Sequence, residues 1–393
     1  MKFSKDEIIQ YIKKIRKEIG HKNSEINIKE LLFTDEKNEL WIVTLDRPDK
    51  SAIIGKGGWV VGKLKEMLNL NKIHVYSYSD YILKKYQMEL SLKSLNSFIS
   101  NYPRKTKSLN NLKILLEEKI ANIYNFDINS YFKNRKITEE RDHQAIVALS
   151  GGVDSSFSLI LAKYLGFNPI AITIDPGTII LPNQFKHNIK KLSNKLNVQH
   201  QFIEVDYGDI IKDSLTGKFH PCGRCSNNTE TTLFKFAAEK NIDIVIFGDM
   251  LSTGTQCITK TDVNPDFNDM LSTGTQCITK TDIASDPNDT LSIAKQTINN
   301  KDTIIKNDEK GTKSIARLNL PATLSIGKEE IKNLVDSYNL LSIKGFGCPL
   351  LYEVHKKHPH MKKFSIQRIL RETRSAALEP GEALDLIWSF YKL

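Results

Sequence analysis

Seven consecutive residues, Ser150, Gly151, Gly152, Val153, Asp154, Ser155 and Ser156, combine two glycines with four side chains that carry oxygen. The apolar run AIVAL precedes them and FSLILAKYLG follows, so the pattern predicts strand, turn and helix. Adjacent glycines let backbone amides approach a bound group, and the positive end of the following helix points at the same spot. The stretch therefore reads as an anion site for phosphate, with the three serine hydroxyls as donors. Asp154 only accepts hydrogen bonds and repels phosphate unless a cation lies between them, which assigns it to Mg²⁺. No lysine adjoins Ser155 or Ser156, as a Walker-type loop requires, so chemistry at a γ-phosphate is not expected.

A second set of reactive residues lies further along. Cys222 and Cys225 sit in HPCGRC ahead of a helical segment, and the pair has three readings: half of a zinc site, a redox dithiol, or two ligands of an iron-sulfur cluster. Cys348 stands alone in GFGCP. Two buried-strand patterns, PIAITID and DIVIFGD, end in Asp175 and in Gly248-Asp249. In a doubly wound α/β sheet, ligands gather beyond the carboxyl ends of such strands. Arg317, after a further strand, is a cation of the sort that sits over phosphates.

The run from Ser150 to Ser156 resembles the signature of the PP-loop ATP pyrophosphatases. That resemblance implies a parallel α/β sheet, ATP and Mg²⁺. It also implies a loop that holds pyrophosphate while a substrate oxygen attacks the α-phosphate to form an adenylate. It places Ile174 and Asp175 beside the base or ribose. Gly248 and Asp249, from their place at a strand end, and Arg317, from its charge, are the further ATP contacts expected. The Cys-x-x-Cys pair with a later Cys before Pro349 resembles the tRNA thiolases that make 2-thiouridine, and implies Cys222, Cys225 and Cys348 as ligands of a 4Fe-4S cluster with one open iron. Zinc is the alternative. Those enzymes often carry paired Cys-x-x-Cys zinc fingers at both ends, and this chain does not.

Near the N-terminus, Ile53-Ile54-Gly55-Lys56-Gly57-Gly58 lies between two helical segments and is followed by the strand KIHVYSY. It resembles the GXXG loop of a KH domain in its prokaryotic arrangement. Residues without side chains let a nucleic-acid backbone approach, and Lys56 adds charge, so Gly55, Lys56, Gly57 and Gly58 are the expected RNA contacts. Trp59 is expected to pack against its own domain.

These motifs need scaffolds, and 393 residues exceed the size at which one core stops growing. The expected organisation is a KH-like α+β domain over residues 1–95, a helical connector over 96–141, and a PP-loop α/β domain over 142–393. MLSTGTQCITKTD at 250–262 recurs identically at 270–282. Residues 264–312 are therefore expected to be a tandem-repeat insertion without chemistry. Arg317 and the helix capped near Ser325 or Gly327 follow it.

The net charge of +10 suits a polyanionic partner, and Lys362, Lys363, Arg368 and Arg371 make a basic face near the C-terminus. No apolar run approaches the ~20 residues needed to span a bilayer. The N-terminus reads as a charged amphipathic helix, so a cytoplasmic protein without a membrane is expected. The function expected is ATP-dependent modification of RNA, tRNA above all, with sulfur from sulfide or a carrier protein. An amidating ligase acting on a small molecule and a nucleotide-switched RNA-binding protein are the rivals, and a homodimer is left open.

Overall fold

The computed structural model describes residues 3–22, 24–102, 106–124, 126–133, 143–250, 257–263, 313–341 and 346–391. The whole of the expected insertion at 264–312 lies outside these residues.

The N-terminal unit begins with α1 (Lys5–Glu18), whose start is fixed by a reciprocal cap between Ser4 and Glu7. Its Ile8, Ile12 and Ile15, at helical spacing, enter a core with Leu40, Ile42, Ile53, Val60 and Leu64. The order continues as β1 (Ile28–Thr34), β2 (Glu39–Thr44), α2 (Arg47–Ile54), α3 (Trp59–Met67) and β3 (Lys72–Ser77). β2 is central, antiparallel to β1 and parallel to β3. Asp46 caps α2 by accepting from the Arg47 amide at 2.7 Å, and Pro48 fits its first turn.

Three helices follow, α4 (Tyr78–Ser100), α5 (Lys107–Ala121) and α6 (Ile128–Lys133). α4 passes position 95 without a break. Met88, Leu95, Leu112, Leu115 and Phe132 join the same core as the large sheet, so the intervening helices are packed as part of it.

The second unit alternates strands and helices: β4 (His143–Ala148), α7 (Val153–Leu165), β5 (Phe167–Asp175), α8 (Asn183–Lys195), β6 (Gln199–Glu204), α9 (Gly208–Leu215), α10 (Pro221–Glu239), β7 (Ile244–Phe247), β8 (Ile258–Val263) and β9 (Lys313–Asn319). The sheet order is β6-β5-β4-β7-β9-β8, parallel except for β8, which pairs antiparallel with β9 at the edge. The first repeat copy thus supplies the edge strand.

Alternation explains the continuous apolar runs in the central strands. Ala145 and Val147 of β4 face one core and Ile146 faces the other; Ile244 and Ile246 of β7 face the first while Val245 and Phe247 face the second. The chain closes with α11 (Leu320–Thr323), α12 (Lys328–Asp336), α13 (Pro349–Lys357), α14 (Lys362–Arg374) and α15 (Pro380–Ser389). Among the described residues no helix is long and apolar enough to cross a membrane.

Candidate nucleotide and thiol site

From β4 the chain leads one way to β5 and later resumes on the other side at β7, which makes the carboxyl end of β4 the switch point of the sheet. Ser150–Ser156 occupies that point. Gly151 adopts φ +76°, and a Cβ there would stand 2.6 Å from the Phe185 carbonyl oxygen. At the end of β7, a Cβ on Gly248 would meet the Ser155 amide nitrogen at 2.7 Å. Glycine at both positions lets the loop nest between α8 and β7.

Within the loop, Ser155 Oγ lies 3.2 Å from the Ser150 amide, 3.0 Å from Ser150 Oγ and 3.1 Å from the Gly152 carbonyl. Ser156 Oγ is buried and has no hydrogen-bond partner. Asp154 is divided in its contacts. Its Oδ2 pairs with Lys328 Nζ at the start of α12, whereas its Oδ1 is buried and unpartnered. A buried carboxylate oxygen without a partner is costly. Mg²⁺ fits here, because this oxygen offers a hard donor in a turn that also carries three serine hydroxyls.

Lys328 carries no motif of its own and enters only through the fold. Gly327 caps its helix, the Glu330 carboxylate reaches back to the Gly327 amide at 2.8 Å, and Lys119 of α5 lies 3.3 Å from Glu330. Burial pushes the Lys119 ammonium down and Glu330 holds it up; burial pushes the Glu330 carboxyl up, but Lys119 and Lys84 bring it below its ordinary value.

The remaining predicted residues lie at or near the ends of β5, β7 and β9. Ile174 is buried on the second core face. Asp175 pairs with Lys186 and accepts from the Gly177 amide at 3.1 Å. An open cleft of about 470 Å³ beyond β5 and β6 is lined by Asp175, Lys186, Glu204 and Asp206 among others. Arg317 is held between Glu230 of α10 and Asp249, with its guanidinium 4.3 Å from the Phe247 ring centre. These carboxylates keep it charged against the effect of burial. Glu230 was not legible as its partner from local sequence.

Cys222 and Cys225 lie in the first turns of α10, and Cys348 caps α13. The Leu350 amide donates to the Ile179 carbonyl at 2.9 Å, tying Cys348 to the turn after β5. Burial pushes the Cys222 thiol up to about 11, with Arg368 acting to lower it and Cys348 to raise it. Burial, then Cys222 and Cys348, push Cys225 up to about 12. The three thiols thus lie within electrostatic reach of one another, and they are the soft donors that iron-sulfur clusters and zinc take. Among the described residues, no three His, Cys, Asp or Glu side chains gather at metal-holding spacing.

At the N-terminal unit, Gly55, Gly57 and Gly58 adopt φ of +72°, +64° and +76°. A Cβ on Gly55 would stand 2.3 Å from Val60 Cγ2. Trp59 departs from the expectation of packing: it is 57% exposed, with Lys63 Nζ 5.3 Å from its ring centre. It opens α3 immediately after the glycine turn, which turns the ring outward from the Val60 and Leu64 face. Arg368 of the expected basic face lies by Cys222, while Lys362 donates to the Phe390 carbonyl at 2.7 Å.

Residues 144–258 match the family model for the queuosine biosynthesis protein QueC. The chain is 28% identical over 247 residues to the uncharacterized protein MJ1638 of Methanocaldococcus jannaschii, covering 63% of this chain and 74% of that one. It is 28% identical over 127 residues to the tRNA-specific 2-thiouridylase MnmA of Persephonella marina, which spans 28% of this chain and 34% of that enzyme. Among solved structures it is similar to the U34-tRNA thiolase NcsA of Methanococcus maripaludis, which was determined with its 4Fe-4S cluster. That similarity has a TM-score of 0.34 at 14% identity and covers 64% of this chain and 73% of the other. With the glycine-serine turn seated at the switch point of a parallel sheet, and the QueC model matching the segment that builds it, the chain carries a PP-loop domain.

Proposed function

We propose that this chain adenylates a nucleobase carbonyl in RNA, most specifically in tRNA, and replaces that oxygen with sulfur. The observation that carries the reading is the pairing of two sites: a glycine-serine turn with the unpartnered Asp154 Oδ1, and three thiols close enough to act on one another's charge, of which Cys348 lies beside the turn after β5. The likeness to a 2-thiouridylase supports tRNA as the substrate.

ATP is held with its two outer phosphates on the amides and hydroxyls of Ser150–Ser156, under the positive end of α7. Asp154 would hold Mg²⁺, which neutralises phosphate charge when bound. Lys328 brings a second cation to the same carboxylate. The nucleobase oxygen attacks the α-phosphorus, the bond to the bridging oxygen breaks, and pyrophosphate leaves. Hydrosulfide then adds to the activated carbon, the carbon–oxygen bond breaks, AMP departs, and the sulfur proton passes to solvent. Cys222, Cys225 and Cys348 would hold a 4Fe-4S cluster, which supplies an open iron able to present sulfide.

The N-terminal unit is assigned to RNA as a KH-like domain. Its α-β-β-α-α-β order, the three left-handed glycines and the exposed Trp59 support this. The test is anoxic incubation of the protein with ATP, Mg²⁺, sulfide and total tRNA, followed by mass spectrometry of nucleosides. A sulfur-for-oxygen nucleoside is expected. Unchanged nucleosides, with pyrophosphate released instead in the presence of ammonia and a small carboxylic acid, would point to the amidating ligase.

A further inference from the structure

Three parts of the chain converge on the turn at 373–379 between α14 and α15. From α2, Arg47 donates to the carbonyls of Thr373 at 3.0 Å and Arg374 at 3.4 Å, while its Nε is fixed by Asp80 at 2.7 Å. One helical turn on, Lys50 Nζ lies 2.7 Å from Glu379. From the nucleotide site, the Lys328 amide donates to the Ala377 carbonyl at 3.0 Å, and the same residue's ammonium pairs with Asp154. The third part is α14 itself, which carries Arg368 beside Cys222.

Lys50 is 8% exposed, unusual for a lysine whose partner Glu379 has a half-exposed side chain. Ala376, between these contacts, adopts φ +58°, a left-handed conformation that a residue with a Cβ rarely takes. The turn is thus held in one shape from both sides. α2 ends at Gly55, where the glycine loop begins.

We propose that Arg47 and Lys50 are positioning residues that couple an RNA strand seated on Gly55–Gly58 to the placement of Lys328 at the phosphate loop. The partner is the phosphodiester backbone of the substrate, so the proposal rests on the functional reading above. A shift of α2 on RNA binding moves the 373–379 turn, and that turn carries the backbone anchor of Lys328.

The test compares the full-length wild type with Lys50→Glu, Glu379→Lys, the double exchange and Lys50→Arg, by amide hydrogen exchange and RNA-stimulated pyrophosphate release. Each single charge reversal is expected to speed exchange at residues 326–331 and to lower kcat about tenfold, the size of one coupled contact. RNA affinity should move less than about twofold, and the double exchange and Lys50→Arg should recover both readouts. Unchanged exchange at 326–331 in the single variants, a loss confined to RNA affinity, or no recovery in the double variant would overturn the coupling. A wild type that releases no pyrophosphate with any RNA would sink the functional reading instead, and the exchange comparison would still decide the coupling.

Discussion

Asp154→Asn lowers pyrophosphate release from ATP by about 10²–10³-fold, the loss typical of removing one preorganised electrostatic contact to a developing charge. The substitution keeps the side-chain volume and removes the charge that the Asp154 Oδ1 brings to the loop. The fold is expected to survive, because Ser158 Oγ bonds the backbone carbonyl of Asp154 at 3.2 Å and is untouched by the change. Lys328→Met has the opposite sign on the metal. It leaves Asp154 without its cation, so Mg²⁺ should bind more tightly while turnover falls about tenfold. Steady-state pyrophosphate assays across a Mg²⁺ titration read both effects, and wild-type turnover in Asp154→Asn would remove this carboxylate from the mechanism.

The second large effect separates the two half-reactions. Cys348→Ser is expected to abolish formation of the thiolated nucleoside and to strip iron from anoxically purified protein, while pyrophosphate release stays within about threefold of wild type. The separation follows from placement, since Cys348 caps α13 beside the turn after β5, whereas the serines of the loop follow β4. Iron analysis and the visible spectrum read cluster loss independently of activity. Zinc in stoichiometric amount, with thiolation intact in the variant, would assign these thiols a structural role.

The strand-turn-helix around Ser150–Ser156 was legible because its residues are contiguous. Strand, turn and helix lie within one short stretch, and every donor is local. The central strands were legible as buried runs for the same reason, while their alternation between two cores came from the structure. Lys328 was not, because it stands 174 residues from Asp154 and reaches it only after the sheet is assembled. Arg317 showed as a cation, but its carboxylate partners come from α10 and the end of β7, which sequence does not place side by side. Trp59 was misjudged by the general tendency of large aromatics to be buried, where the left-handed Gly58 before it sets the start of α3 and turns the ring to solvent. The antiparallel edge at β8 had no signal, since TKTD in a repeat unit carries neither strand alternation nor a turn.

The account depends on how the turn after β4 divides ATP. Anoxic incubation of the wild-type protein with Mg²⁺, total tRNA, sulfide and ATP labelled on the α-phosphate, resolved by chromatography, tests this most directly. Label recovered in AMP, with pyrophosphate in equal amount and dependence on tRNA, is the predicted result. Label recovered in ADP, with orthophosphate released, would contradict the assignment of Ser150–Ser156 to the outer phosphates.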